Sequence, residues 1–402
     1  MRIAWVTPLA RGSGISKYSL AVVPALARLV DLEVWAPVTG DDYPCPAAPV
    51  RNLVADEATE DALQAYDHVV FSAGNNPAFH TEIHRLSERV SGIVVVHDKR
   101  MSGFFHDLWA VHGRDPARYA AMMRYYYGRP GEEAAREILA GRAGVDTYDA
   151  FPLVEPALWN ATGIVVHSVE AAGIVGRYGE SVPVATLGLP FDPSAMREAA
   201  SMPSREQLVA GDERVLLVSS GGVFEQKRLD SVIRAIAAEP RLRDVALLAI
   251  VGGGRDSYLD ALARLATDLG IADSVRITGR VDDATMYGWI AAADIAVNLR
   301  YPSMESSSLS LVEQMYLGVP VVVTDTSYYS ELPADVALKV PVATEADDLR
   351  RALITLVEDG ALRARMGAAA ADYARRRHDP VAYARRIAEF AVNVRARRGE
   401  SS

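Results

Sequence analysis

Residues 300–333, RYPSMESSSLSLVEQMYLGVPVVVTDTSYYSELP, carry most of what this chain discloses about its fold. Leu309, Leu311, Val312, Met315 and Leu317 recur with helical periodicity, and the small-residue loop Ser306-Ser307-Ser308 runs straight into them. Gly318 stops the helix, Pro320 follows it, and the apolar run 319–323 reads as a buried parallel strand. A small-residue loop that opens a helix also presents free backbone N–H groups and a positive dipole end, which suits a phosphate. Glu305 and Glu313 flank that anion site eight positions apart. Carboxylates repel phosphate, so the pair suits neutral hydroxyls such as those of a ribose and a sugar. The pattern asks for a ligand that carries both, a nucleotide sugar.

The same alternation of short apolar runs and helical segments extends outward, the mark of parallel α/β layers. Strands are expected over 3–7, 32–35, 68–72, 92–97 and 163–167, with helices over 17–29 and 118–141 between them. A second set restarts with 214–219, 245–251, 275–278, 295–299 and 319–323. The joint falls at 182–193, VPVATLGLPFDP, where three prolines and a glycine interrupt the pattern. We therefore expect an α/β protein of two doubly wound, Rossmann-like parallel-sheet domains, 1–187 and 188–379, facing each other across a cleft. In such sheets ligands bind beyond the carboxyl ends of the strands, and every motif below follows a strand.

Composition bounds the function. A chain of 402 residues is too long for one core, and half of them are hydrophobic. A formal net charge of −10 argues against a nucleic-acid binder. The single cysteine, Cys45, excludes an internal disulfide framework and points to a reducing cytoplasm. No long apolar leader or membrane-length run is present, so a soluble cytoplasmic protein is expected. Arg118, Arg124 and Arg129 with Tyr125-Tyr126-Tyr127 form a possible basic face for peripheral membrane contact, but Glu132, Glu133 and Glu137 interrupt it, and the reading is not favoured. The residues at 399–402 are expected to fray.

Three glycine-rich turns follow strands, and the first two read as diphosphate loops. Pro8-Leu9-Ala10-Arg11-Gly12-Ser13-Gly14 lies after the first strand but lacks the third glycine of a dinucleotide fingerprint. Ser220-Gly221-Gly222-Val223-Phe224-Glu225-Gln226-Lys227-Arg228 adds a cation that would neutralise a leaving phosphate. Gly252-Gly253-Gly254 permits close backbone approach after the strand 245–251. His97-Asp98 ends a buried strand, and His167-Ser168 ends another. A lone histidine at such a place is more often structural than catalytic, but the neighbouring Asp98 leans His97 the other way, and His167 is secondary. The Asp-x-Asp pattern expected of a metal site is missing from every strand end, so no metal and no other cofactor is expected.

The Glu305-x7-Glu313 arrangement, with Gly318-Val319-Pro320, Thr324-Asp325 and Ser330-Glu331-Leu332-Pro333, resembles the E-x7-E signature of retaining GT-B glycosyltransferases, closest to family 4. The resemblance implies a GT-B fold whose helix at 380–402 crosses back onto the first domain. It implies Gly14 against the donor diphosphate, Lys227 on the leaving phosphate, Glu305 on a sugar hydroxyl and Glu313 on the ribose. Gly222, Arg228, Gly253, Ser307, Ser308 and Leu309 would complete the donor site, with Val281 beside the base. His97 would act as a catalytic hydrogen-bond donor to sugar oxygens or departing phosphate, with Asp98 and Tyr126 toward the acceptor. Family members commonly pair the lysine with an arginine five or six residues earlier. Here those places hold Gly222 and Gly221, and Arg228 is the nearest substitute. The implied activity is front-face, metal-independent transfer from a nucleoside-diphosphate sugar, UDP first and GDP second, to a small-molecule or glycan hydroxyl. A same-fold sugar-nucleotide epimerase and a non-catalytic nucleotide-sugar binder are the alternatives.

Overall fold

The computed structural model describes residues 1–178, 182–194, 196 and 202–399; the expected fraying beyond 399 lies outside them. Among the described residues, two wholly parallel sheets organise the chain. The first holds seven strands, β1 (Arg2–Val6), β2 (Asp31–Ala36), β3 (Val50–Asn52), β4 (His68–Ala73), β5 (Gly92–Val96), β6 (Ala161–Val166) and β7 (Val184–Thr186), in the order β3-β2-β1-β4-β5-β6-β7. The second holds six, β8 (Val215–Ser220), β9 (Ala246–Val251), β10 (Val275–Gly279), β11 (Ile295–Asn298), β12 (Val321–Thr324) and β13 (Ala337–Val340), in the order β10-β9-β8-β11-β12-β13. Each order reverses once, beside β1 in the first sheet and beside β8 in the second. That is the doubly wound α/β class expected, and ligands of such sheets collect at the reversal.

The strands the sequence foretold are the inner ones and one edge, β10. Parallel strands covered on both faces must be apolar throughout, so runs such as GIVVV at Gly92–Val96 are wholly buried and easy to read. The three strands that escaped are edges. All of β3 is exposed, β7 is half-buried and lies inside the stretch read as a joint, and β13 buries only its ends. The strand expected over 319–323 begins later, at Val321, because Gly318 and Val319 finish the preceding helix. Gly318 takes φ 76°, its N–H donates to the Met315 carbonyl (2.9 Å), and the Val319 N–H donates to Gln314 (3.2 Å), a Schellman closure.

By contact the described residues divide into two compact units. One gathers Met1–Pro190, Met304–Ser307 and the stretch from Asp379; the other holds Phe191–Ser303 and Ser308–His378. The helix Pro380–Gly399 thus belongs with the first unit, where it packs on the helix Gly14–Leu26. The first unit's helix Pro116–Leu139 is broken at Gly128 (φ 66°, ψ −151°), ahead of Pro130.

Candidate functional site

In the second unit, three loops leave β8, β9 and β10 and lock together through glycines. Gly221 (φ 90°) donates its N–H to the Val251 carbonyl at 3.0 Å, and Gly252 (φ 143°) donates to Gly279 at 3.1 Å. A Cβ on Gly252 would lie 2.1 Å from the Gly221 carbonyl oxygen, so no other residue fits there. The Val223 N–H donates to Gly253 (2.8 Å), and a Cβ on Gly254 would meet the Val223 carbonyl at 2.4 Å. Lys227 closes the single turn Glu225–Lys227, is buried, and donates to the Ser220 carbonyl. Its ammonium nitrogen lies 3.5 Å from where a Gly221 Cβ would be. A cation beneath a glycine loop rich in backbone amides is a compact anion site.

Gly222 is exposed and has the Phe224 ring folded against it, a Cβ there falling 2.5 Å from the ring. The substitute role anticipated for Arg228 meets a rival. Its guanidinium is gripped by Glu345 (2.8 Å), which also accepts from the Ser231 hydroxyl (2.6 Å). That ion pair raises the hold on its proton and directs the charge into the unit's own structure. Val281 is half-buried against a cluster containing Val209, Leu216 and Trp289. Arg280 beside it is exposed, its Cβ 3.3 Å from where a Gly253 Cβ would be.

The helix Leu309–Tyr316 opens as its sequence demands. Ser308 is the N-cap, its hydroxyl accepting from the Leu311 N–H (3.4 Å), which leaves the first-turn amides from Leu309 onward ahead of it. Glu313 is buried one turn in and accepts from the Tyr287 hydroxyl at 3.2 Å. Sequence reasoning missed the network that holds this helix. Asn298, at the end of β11, donates to Ser310 (3.1 Å) and Gln314 (2.9 Å), and Gln314 donates to the Ser220 hydroxyl (2.9 Å). The available signal was a lone polar residue ending an apolar strand, and an amide on the helix's buried side.

In the first unit β5 runs into His97-Asp98-Lys99-Arg100, and the segment 304–307 pairs with that end. The Lys99 N–H donates to the Met304 carbonyl (3.0 Å), the Ser306 N–H to His97 (2.8 Å), and Asp98 and Glu305 form an antiparallel bridge. The two acids of the E-x7-E pattern therefore fall in different units, Glu305 with the first and Glu313 with the second. Asp98 accepts from the Asn75 N–H at 2.9 Å, yet burial, reinforced by the charge of Glu305, pushes its carboxyl up to about 7. Lys99 is fully buried and paired with Glu170, and burial lowers its pKa; Arg100 pairs with Asp149 at 2.8 Å.

His97 is buried with its Nδ1 3.2 Å from Nε2 of His167, whose Nδ1 meets the Leu187 carbonyl at 3.0 Å. Tyr18 sets its ring edge-on to His97 at 4.4 Å and shares a 2.7 Å hydrogen bond with Tyr383. Burial, then His167 and His80, push the pKa of His97 well below the histidine range. Ser307 is buried too. Gly14 is the first residue of its helix, and the positive-φ turn belongs to Gly12 (φ 88°). Tyr126 is half-buried on the first unit's core, burial lifting its hydroxyl to about 12, whereas Tyr125 is 69% exposed. Arg124 and Arg136 both pair with Glu132, which blunts the basic face. Among the described residues no cluster of three or more His, Cys, Asp or Glu is placed to hold a metal ion, and no helix is long and apolar enough to cross a membrane.

Residues 202–373 match the family described as Glycosyl transferases group 1. Over 161 residues the chain is 35% identical to D-inositol 3-phosphate glycosyltransferase 2 of Catenulispora acidiphila, covering 38% of this chain and 37% of that protein. Over 196 residues it is 31% identical to a GDP-mannose-dependent monoacylated alpha-(1-6)-phosphatidylinositol monomannoside mannosyltransferase of Corynebacterium glutamicum, covering 48% of each. The chain thus spans less than half the length of these two relatives. In structure it resembles Anabaena Alr3699/HepE, solved in complex with UDP, with a TM-score of 0.67 at 16% identity over 98% of this chain and all of that one. Residues 202–373 are thus similar to the glycosyl transferases group 1 family, within a chain whose two parallel-sheet α/β units share the GT-B fold.

Proposed function

We propose that this chain is a retaining glycosyltransferase of family 4. It moves a sugar from a nucleoside diphosphate to an acceptor hydroxyl by front-face transfer, without a metal. The observation that carries the reading is the interlock of the Gly221, Gly252 and Gly279 loops above buried Lys227, a site shaped for a diphosphate. In this reading Lys227 and the amides after Ser308 take the charge of the departing phosphate, which accepts the acceptor's proton. Glu313 holds the ribose, Glu305 a sugar hydroxyl, and the Val281 backbone the base. Gly14, Gly222 and Gly253 let the backbone approach the donor, and Asp98 and Tyr126 lie on the acceptor side. A cytoplasmic location belongs to the same reading.

UDP is the first choice of nucleotide, supported by the UDP complex of the Anabaena neighbour. GDP is second, supported by the name of the Corynebacterium relative. The missing arginine favours one rival, a nucleotide-sugar binder without turnover, since Arg228 is already engaged by Glu345. Calorimetric titration with UDP, GDP and ADP, repeated on Glu313→Ala and Lys227→Ala, tests the donor site. One nucleotide should bind tightly and both variants should weaken it. No binding by any of the three sinks the transferase reading, and binding without release of nucleoside diphosphate from its sugar conjugates favours the binder.

A further inference from the structure

The carbonyl of Leu187 decides how two buried histidines of the first unit can be protonated. A carbonyl oxygen only accepts, so the 3.0 Å contact from His167 Nδ1 is an N–H donating to it. A neutral imidazole has one N–H, which leaves the lone pair of His167 on Nε2. That nitrogen is 3.2 Å from His97 Nδ1, so the proton in this contact sits on His97. The same count leaves the lone pair of His97 on Nε2, a buried atom with no hydrogen-bond partner among the described residues. His80 nearby repeats the pattern, its Nδ1 3.1 Å from the Ser72 carbonyl.

The surroundings keep the arrangement single. Tyr18 holds the His97 ring edge-on at 4.4 Å, and its hydroxyl is bonded to Tyr383, so it does not compete for Nε2. The charge-bearing groups around His97 are His167, His80, Tyr18 and its neighbour Asp98. Two further imidazoles and burial all disfavour a proton on it.

We propose that His97 is a hydrogen-bond acceptor for a substrate hydroxyl, and that His167 is the positioning residue that fixes it in that state by leaning on the Leu187 carbonyl. This reverses the donor role that the resemblance implied. A lone pair repels a phosphate oxygen and welcomes an O–H, so His97 selects a sugar or acceptor alcohol and leaves the departing phosphate to other groups. The identity of the hydroxyl rests on the glycosyltransferase reading; the protonation pattern does not.

The first test is an imidazole nitrogen NMR spectrum of the isotope-labelled chain without substrate at about pH 7.5, with signals assigned by His97→Gln and His167→Gln. The proton is expected on Nδ1 and the lone pair on Nε2 of both rings. A proton on His97 Nε2, or a doubly protonated ring, overturns the proposal. The second test is turnover. His167→Ala frees His97 to take the other tautomer and is expected to lower kcat about tenfold or more, with nucleotide affinity little changed. His167→Gln, whose amide oxygen can accept from His97 Nδ1, is expected to recover most of that loss. Equal loss in both variants, or loss in neither, overturns the positioning role while glycosyl transfer stands. Absence of transfer by the unaltered chain counts against the glycosyltransferase reading and against the sugar hydroxyl as partner, and the spectrum judges the histidine pair in either case.

Discussion

The loop after β5 in the first unit and the loops after β8, β9 and β10 in the second are built from opposite materials. The loops of the second unit use glycines, backbone amides and one buried basic side chain, Lys227. The first unit buries His97, His167 and His80 close together and sets Asp98 against Glu305, so that its chemistry turns on where protons sit. A basic side chain among backbone amides suits an anion such as a diphosphate. Neutral imidazoles and a reluctant carboxyl suit hydroxyls, which must be met by a lone pair of definite position. The comparison teaches that the two sheets present loops of contrasting chemistry, amides and a basic side chain in one, imidazoles and a carboxyl in the other.

The comparison breaks first at Lys227. Lys227→Ala is expected to slow transfer by ~10²–10³-fold, about 3–4 kcal/mol, if the second unit depends on one fixed cation. A loss of less than about tenfold in nucleoside diphosphate release would show that backbone amides suffice. Next comes the first unit's own buried cation. Glu170→Ala strands Lys99, which is fully buried, and should cost about 3 kcal/mol in urea unfolding, much of it regained in the double variant with Lys99→Met. A single variant as stable as the parent would mean that Lys99 finds other solvation.

Asp98 sharpens the contrast through pH. In the unfolded chain an aspartate ionises near its ordinary 3.8, whereas Asp98 in the fold keeps its proton up to about 7. The unfolded state therefore binds fewer protons, and stability falls as pH rises across that window and levels above it. Asp98→Asn should flatten the fall, by on the order of 4 kcal/mol between its ends, in denaturant titrations across the range. An unchanged slope would assign the titration elsewhere. The smallest effect is expected at Arg228. Glu345→Ala should cost ~1 kcal/mol of stability and leave nucleotide affinity unchanged or slightly raised, because it releases a half-exposed guanidinium. A clear drop in affinity by calorimetry would make the ion pair part of the phosphate site.

How much of this was legible follows from what each residue must satisfy locally. Central strands such as β5 and β9 must be apolar on both faces, and the helix after Ser308 needs its cap and its glycine stop, so both are written in adjacent letters. The strands β3, β7 and β13 are edges of three or four residues, exposed or only partly buried, and too short to show a continuous apolar run. The glycine loops were legible as close-approach turns, though not that Gly252 is required by the Gly221 carbonyl. His97 was legible as a strand-end histidine, but its protonation depends on Leu187, inside the stretch read as a joint. The pairing of Glu305 with Asp98 joins residues far apart in sequence and leaves no local pattern. For the same reason the Asn298–Gln314–Ser220 network was invisible.

The hydroxyls of Tyr18 and Tyr383 meet across 365 positions of chain. A ribosome making this protein therefore finishes the seven strands of the first sheet long before it supplies the helix that covers Tyr18, while residues 191–378 can complete their own core in the interval. The amino-terminal unit, though begun first, should be the last to become protected from proteolysis during synthesis, and its buried histidines the last groups in the molecule to lose contact with water.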